Sequence, residues 1–267
     1  MSGAGRLAGG RRYPLEALAA TTAGTGPPLL LIHALGANRR IWEPLFPHLA
    51  GRRRLIAVDL PGFGDSPPLP EPPTPRAFAR LLADYLDRLG IAQAGLVGSS
   101  LGGWIAFELA LLGRARSVTA LAPAGLWPRR LAPRADISRR LARPLAPLLR
   151  AAAATASGRR LLLSGVLANP TQLSPQAAAN LIAAYLTAPD YGRANAAMRA
   201  SRFERLAELA VPVTLVWGER DRLVAPPKRL PDGVHSVILA EAGHLLPLDR
   251  PAKVAALILR TDRLLGA

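Results

Sequence analysis

Three residues of this chain have the types and placement for nucleophilic chemistry: a serine between glycines, and an aspartate and a histidine far downstream. The serine is the centre of Gly98-Ser99-Ser100-Leu101-Gly102, which fits G-x-S-x-G. A buried strand that turns at once into a helix forces that central residue into strained backbone angles. Glycines flank it because a Cβ there would strike the neighbouring strand or helix. The hydroxyl then stands at the carboxyl edge of the sheet, with the first amides of the helix aimed at a developing oxyanion. In a chain with 24 glycines the pattern alone says little. Its flanks give it weight: the apolar run Ala94-Gly95-Leu96-Val97 precedes it, and Trp104 to Leu112 reads as a helix. Ala94 to Gly113 carries a single charge, Glu108, but the glycines in its middle argue against a membrane span.

A serine nucleophile needs a base, and the base needs an orienting acid. Two histidines follow Ser100. His244 lies in Glu241-Ala242-Gly243-His244-Leu245-Leu246-Pro247, a loop just after the last strand-like run, where a side chain reaches the carboxyl edge. His235 precedes that strand and should face the opposite end. For the acid, Trp217-Gly218-Glu219-Arg220-Asp221 follows the penultimate strand. Asp221, in the turn, is the preferred residue, and Glu219 is the neighbour that could replace it.

Such residues meet only if strands and helices alternate around them. Leu29 to His33, Leu55 to Val58, Ala94 to Val97, Ser117 to Leu121, Val213 to Trp217 and Ser236 to Leu239 read as strands, several without a polar break, as in a parallel sheet. Arg12 to Ala20 could supply an edge strand. Thr74 and Pro75 open a helix that Gly90 closes, and another runs from about Pro251 to Leu265. The pattern predicts an α/β fold with a mostly parallel, doubly wound sheet. Between Gly125 and Phe203 the strand signal vanishes, which predicts a helical cap inserted over the strand ends. The expected division is residues 1–124 and 206–267 for the core and 125–205 for the cap.

At 267 residues, half of them hydrophobic, the chain can bury one large core. No cysteine is present, which excludes disulfides and thiolate metal sites. The four histidines lie far apart, no metal-ligand spacing appears, and no signal peptide is evident, so the reading is of a cofactor-free cytoplasmic protein. The net charge of +16 raises nucleic acid as a partner. Against it stand sparse aromatics, no nucleic-acid motif, and basic residues that are nearly all arginine. Nine of those arginines (129, 130, 134, 139, 140, 143, 150, 159 and 160) crowd the first part of the cap beside one acid, Asp136. They read as a solvated face, or as a device for drawing in anionic substrates or an acidic surface.

The elbow, Leu31-Ile32-His33-Ala34-Leu35-Gly36, Asp59-Leu60-Pro61-Gly62-Phe63-Gly64-Asp65-Ser66, Trp217 to Asp221 and Ala242-Gly243-His244 together resemble the α/β-hydrolase fold superfamily, in its bacterial form with a helical lid. The resemblance runs from about Leu29 to the C-terminus, and the order Ser100, Asp221, His244 is that family's. It implies a catalytic triad of these three residues and an oxyanion hole built from the amides of Leu35 and Leu101. It also implies that His33 braces its loop. Where the family has His-Gly this chain has His33-Ala34, which narrows the backbone angles open to the loop. A serine at position 100 excludes the members that use an aspartate nucleophile, dehalogenases and epoxide hydrolases. Carbon–carbon hydrolases of the family typically carry Asn before the nucleophile and Trp after the histidine; here those positions are Ser99 and Leu245. The resemblance therefore implies hydrolysis of small-to-medium carboxylic esters. Carbon–carbon hydrolysis, acyl transfer and perhydrolysis are the alternatives, and a non-catalytic binding protein is disfavoured because all three triad positions are filled. Trp104 and Trp127 are candidates for the pocket wall, Trp104 equally for the core. The implied partner is a small-molecule ester.

Overall fold

The computed structural model describes residues 4–6, 12–132 and 136–263. A short antiparallel ribbon of β1 (Ala4–Arg6) and β2 (Arg12–Pro14) precedes a seven-stranded sheet. The sheet contains β3 (Ala20–Ala23), β4 (Pro28–Ile32), β5 (Arg54–Val58), β6 (Ala94–Ser99), β7 (Ala115–Leu121), β8 (Val213–Gly218) and β9 (Val234–Leu239). Their order across it is β3-β5-β4-β6-β7-β8-β9, parallel throughout except for the edge strand β3. Every residue of β6 and β8 is buried, so these strands need cover on both faces. On one side α2 (Pro75–Arg88) packs with α3 (Leu101–Leu111), which lies on β6 and β7. α10 (Pro251–Arg263) packs on β7 and β8 together with α1 (Phe46–Leu49) and α9 (Leu246–Asp249).

Local chemistry sets the helix starts. The Thr74 hydroxyl accepts from the Ala77 amide at 3.1 Å with Pro75 in the first turn, and Ser174 caps α7 (Pro175–Thr187) through the Ala177 amide at 3.2 Å. One expectation shifts. Within Arg12 to Ala20 the chain spends its first residues on the ribbon and on a 3-10 turn, Leu15–Ala17, that buries Leu15. The edge strand begins only at Ala20. Ala20-Thr21-Thr22-Ala23 shows neither alternation nor an aliphatic run, and its extended form comes from antiparallel pairing with β5. Arg134 and the expected helix end at Leu265 lie outside the described residues.

β4 has β5 on one side and β6 on the other, so the chain reverses its direction of travel there. At such a switch point the loops leaving the carboxyl ends part and open a crevice. Between β7 and β8, α4 (Ile137–Ala142), α5 (Ala146–Ala152), α6 (Ala156–Leu163), α7 and α8 (Tyr191–Arg199) follow one another, with no strand among the described residues. This insert touches three loops at the carboxyl edge. Buried Asp190 accepts from the Leu69 amide at 3.1 Å in the segment after β5. Val166 O accepts from the amides of His244 and Leu245 after β9. Tyr185 and Tyr191 lie against Gly36 after β4. Among the described residues, no helix is long and apolar enough to cross a membrane.

The insert's arginines do not form one class. Arg139 is buried: it pairs with Asp136 at 2.7 Å, donates to the carbonyls of Tyr185, Leu186 and Ala188 at the end of α7, and sits 4.9 Å from the centre of the Tyr191 ring. Arg159 is buried on the carbonyls of Ala153 and Ala154. Arg129, Arg130, Arg140, Arg143, Arg150 and Arg160 are exposed. Replacing Arg139 by Met leaves three carbonyls at a helix end without their donor, and should lower unfolding free energy by roughly 2–4 kcal/mol. Arg160→Met, at an exposed position, should change it by less than about 0.5 kcal/mol. Urea denaturation of both variants measures the difference.

Candidate active site

Ser100 has φ 52° and ψ −112°, a conformation costing a non-glycine residue on the order of 1–3 kcal/mol. Its neighbours hold it there. The Ser100 amide donates to Leu121 O at 2.8 Å, and the Ser100 carbonyl accepts from the amides of Gly103, Trp104 and Ala124. A Cβ on Gly98 would run into the Gly102 carbonyl, and one on Gly102 into the Ile32 carbonyl, so α3 can begin hard against the ends of β6 and β4 only with glycine at both places.

Backbone bonds carry the carboxyl edge onward from Ser100 strand by strand. Ala122 N donates to Val216 O, Glu219 N to Leu239 O and Arg220 N to Ala242 O, linking the ends of β7, β8 and β9. At the far end His244 Nδ1 lies 2.8 Å from Asp221 Oδ2, and both side chains are buried. The other oxygen of Asp221 accepts from the amides of Leu223 (2.7 Å) and Val224 (3.1 Å). Burial pushes the Asp221 carboxyl up, but the hydrogen bond and charge of His244 and the two amides outweigh it, so the group lies below the usual aspartate range. The carboxylate therefore accepts a hydrogen bond from Nδ1–H, which leaves Nε2 as the basic nitrogen. Glu219 is engaged elsewhere: it is exposed and accepts from the Glu241 amide at 3.1 Å. His235 is exposed in the first half of β9. Among the described residues no hydrogen bond joins Ser100 Oγ to His244, a contact that often tightens only when substrate is bound.

The loop after β4 is held by His33, which is fully buried. Its Nδ1 donates to Ala34 O at 2.8 Å and its Nε2 accepts from the Leu60 amide at 2.9 Å, with Phe63 edge-on at 5.6 Å. Asp59 supports the same region: it accepts from the amides of Arg39 (2.6 Å) and Asp65 (2.9 Å) and pairs with the Arg39 guanidinium. Leu35 and Gly36 (φ 75°) form a turn closed by Ala37 N to Ala34 O at 3.0 Å. The amides of Leu35 and Leu101 have no acceptor among the described residues.

Trp104 is buried, with its Nε1 on Glu108 at 3.1 Å, and its ring meets Trp127 edge-on at 5.8 Å. Half-buried Trp127 donates to Ser201 O at 3.0 Å, so the pair sits where the insert leaves the core. Two surface hollows of about 440 and 450 Å³ lie elsewhere. The larger is lined by Pro28, Arg54, Gln93 and Arg116 at the amino end of the sheet, remote from Ser100.

Three contributors carry no sequence signal that singles them out. Asp249 is buried and accepts from the amides of Gly243 (2.8 Å), Ala168 (3.0 Å) and Asn169 (3.1 Å), pinning the His244 loop to the insert. Its only hint in the sequence is an acid ending the apolar run Leu245 to Leu248. Tyr185 and Tyr191 meet edge-on at 5.1 Å against Gly36 and belong to an insert without motifs.

A nearly parallel sheet that strains a serine at one strand end and aligns a carboxylate-held imidazole on later ones is the framework of the α/β hydrolases. The chain belongs to the alpha/beta hydrolase family, whose model matches residues 29–257. It is 34% identical over 200 residues to an epoxide hydrolase of Mycobacterium tuberculosis, covering 67% of this chain and 92% of that protein. Over 88 residues it is 42% identical to a pimeloyl-[acyl-carrier protein] methyl ester esterase of Aeromonas hydrophila, covering 33% of this chain and 34% of that one. The structure of a thermophilic esterase from Thermogutta terrifontis superposes with a TM-score of 0.74 at 26% identity, over 98% of this chain and 97% of the other.

His33 yields a prediction that separates support from catalysis. Burial lowers its pKa, although the charge of Asp59 and the bond to Ala34 O pull it upward. The unfolded chain therefore binds the proton first as pH falls. Stability from the neutral ring is complete above about pH 6.5, the ordinary histidine value, and is lost as pH falls through the depressed folded value. His33→Gln should flatten this part of the pH–stability curve, read from unfolding midpoints of both proteins across the acid range.

Proposed function

We propose that this protein is a serine hydrolase cleaving carboxylic esters of small-to-medium size through an acyl-enzyme. The observation that carries the reading is the buried Asp221–His244 hydrogen bond at 2.8 Å, on the same strand edge as a serine at φ 52°. In this reading His244 Nε2 takes the hydroxyl proton as Ser100 Oγ attacks the ester carbonyl. Asp221 holds the ring and stabilises its protonated form, and the amides of Leu101 and Leu35 bind the tetrahedral oxyanion. Collapse breaks the acyl–oxygen bond, and the alcohol leaves with the proton returned by His244. Water, activated by the same imidazole, then repeats the sequence on the acyl group and restores Ser100. Residues 125–205 serve as a cap over the edge, with Trp104 and Trp127 at its root as part of the pocket wall.

Epoxide hydrolysis is the second reading, because one relative bears that name. Chemistry weighs against it. Serine attack on an epoxide carbon yields an ether, which has no carbonyl for water to attack, so the enzyme would not turn over. An aspartate nucleophile avoids this by forming an ester, and position 100 is serine.

Ser100→Ala, His244→Ala and Asp221→Asn should each lower kcat/KM on an activated ester by at least ~10³-fold while the protein stays folded. A Ser100/His244 double variant should lose little more than Ser100→Ala alone, because the residues act as a unit. A fluorophosphonate should label one residue stoichiometrically, and peptide mapping should find the adduct on Ser100. Label on Ser99, or undiminished ester turnover in Ser100→Ala, would overturn the assignment. Turnover of a simple epoxide but of no ester in the panel would transfer it to the second reading.

A further inference from the structure

The run from α4 through a 3-10 turn (Arg143–Leu145) to α5 has two faces that the ester chemistry does not explain. One is committed to the protein. Arg139 and Ala153 are buried, with Ala142, Ala146 and Leu149 half-buried between them, and α4 and α5 both pack on α7. The other face turns large aliphatic side chains to solvent: Ile137 is 61% exposed, Leu141 72%, Leu145 52% and Leu148 66%. Their spacing, four, four and three residues, is that of a single helical stripe. Exposed Arg140, Arg143 and Arg150 accompany it on the same run, and exposed Arg160 lies beside Leu161, 82% exposed, on α6. Between residues 125 and 189 the only acid is Asp136, which is already paired with Arg139.

We propose that this stripe, Ile137, Leu141, Leu145 and Leu148 with its flanking arginines, docks the protein on an anionic lipid bilayer. Four large aliphatic side chains exposed along one helical stripe mark an interaction site. Exposed aliphatic residues along a short helical run with cations beside them match a bilayer interface, where the aliphatic side chains enter the acyl boundary and the guanidinium groups meet phosphate. A second copy of the chain fits worse: a two-fold contact through this face brings Arg140, Arg143 and Arg150 against the same arginines. A folded acidic protein also fits worse, since the ridge is wholly aliphatic and lacks the aromatic anchors on which protein interfaces centre.

The test is flotation of the full chain with vesicles of phosphatidylglycerol and phosphatidylcholine in equal parts, beside vesicles of phosphatidylcholine alone. The wild-type protein should float with the mixed vesicles, bind the neutral ones far more weakly, and lose affinity as salt is raised. A Leu141→Ser, Leu145→Ser, Leu148→Ser variant keeps every charge. It should bind the mixed vesicles at least ~10-fold more weakly, since three aliphatic side chains no longer enter the acyl region. Its unfolding midpoint should stay within a few degrees of the wild type, because the side chains removed are exposed. Arg140→Gln with Arg143→Gln and Arg150→Gln should weaken binding to the mixed vesicles and leave the weak neutral binding unchanged. Undiminished binding of the serine variant would overturn the proposal, leaving only the attraction of a basic protein for acidic lipid. Absence of wild-type binding would overturn it too. So would a concentration-dependent dimer, seen by sedimentation, that the serine variant fails to form; that result assigns the face to a second copy.

Discussion

The turn from β6 into α3 is the constraint on which the rest of the molecule rests. Ser100 occupies a backbone conformation that an isolated peptide would leave, and it stays because its amide and carbonyl are tied to Leu121, Gly103, Trp104 and Ala124. Those bonds in turn require α3 to start against the ends of β4 and β6, which Gly98 and Gly102 permit. The strain at one residue is thus carried by the central strands of the sheet and by the helix that covers them. A serine on a loop would have no such support and no fixed position for its hydroxyl.

The imidazole is positioned from three sides, only one of which is the Asp221 carboxylate. Asp221 holds the ring, Val166 O holds the His244 amide, and Asp249 holds the Gly243 amide while also binding Ala168 and Asn169. Two of these three supports reach into the insert. The segment with the weakest sequence signal is therefore physically part of the mounting of the proposed base. On the other side of the crevice, Tyr185 and Tyr191 close against Gly36, beside the Leu35 amide. Rearrangement of the insert would reach both the His244 loop and the turn proposed to bind the oxyanion.

Charge is distributed with the same division of labour. A net +16 invites one explanation for every arginine. Arg139 and Arg159 instead serve as buried donors to carbonyls at helix ends, and Arg39 joins the loops after β4 and β5 through Asp59 and Asp65. The guanidinium group suits this work because one planar head can satisfy several acceptors at once. Exposed Arg140, Arg143, Arg150 and Arg160 have no acid partner among the described residues, and they accompany aliphatic side chains that the core does not use.

Much of the fold was legible in the sequence. Leu29 to Ile32 and Ala94 to Val97 had to be buried strands because nothing polar interrupts them. The glycines around Ser100 had to mark a tight strand-to-helix turn, because no other residue allows that approach. Thr74-Pro75 announced a helix start through its own local hydrogen bond. Such signals act within a few residues of the chain, which is why the sequence by itself determines them. Tertiary structure decided the rest. Ala20 to Ala23 is a strand because β5 lies beside it. Glu219 and Asp221 are both acids in one turn, and only the packing of β8 and β9 sends one to His244 and the other to the Glu241 amide. Asp249, Arg139, Tyr185 and Tyr191 have roles defined by partners dozens of residues away or more, in loops brought together by the sheet. No local pattern records those distances, because a buried hydrogen bond depends on where two segments meet in space and not on how they are spelled.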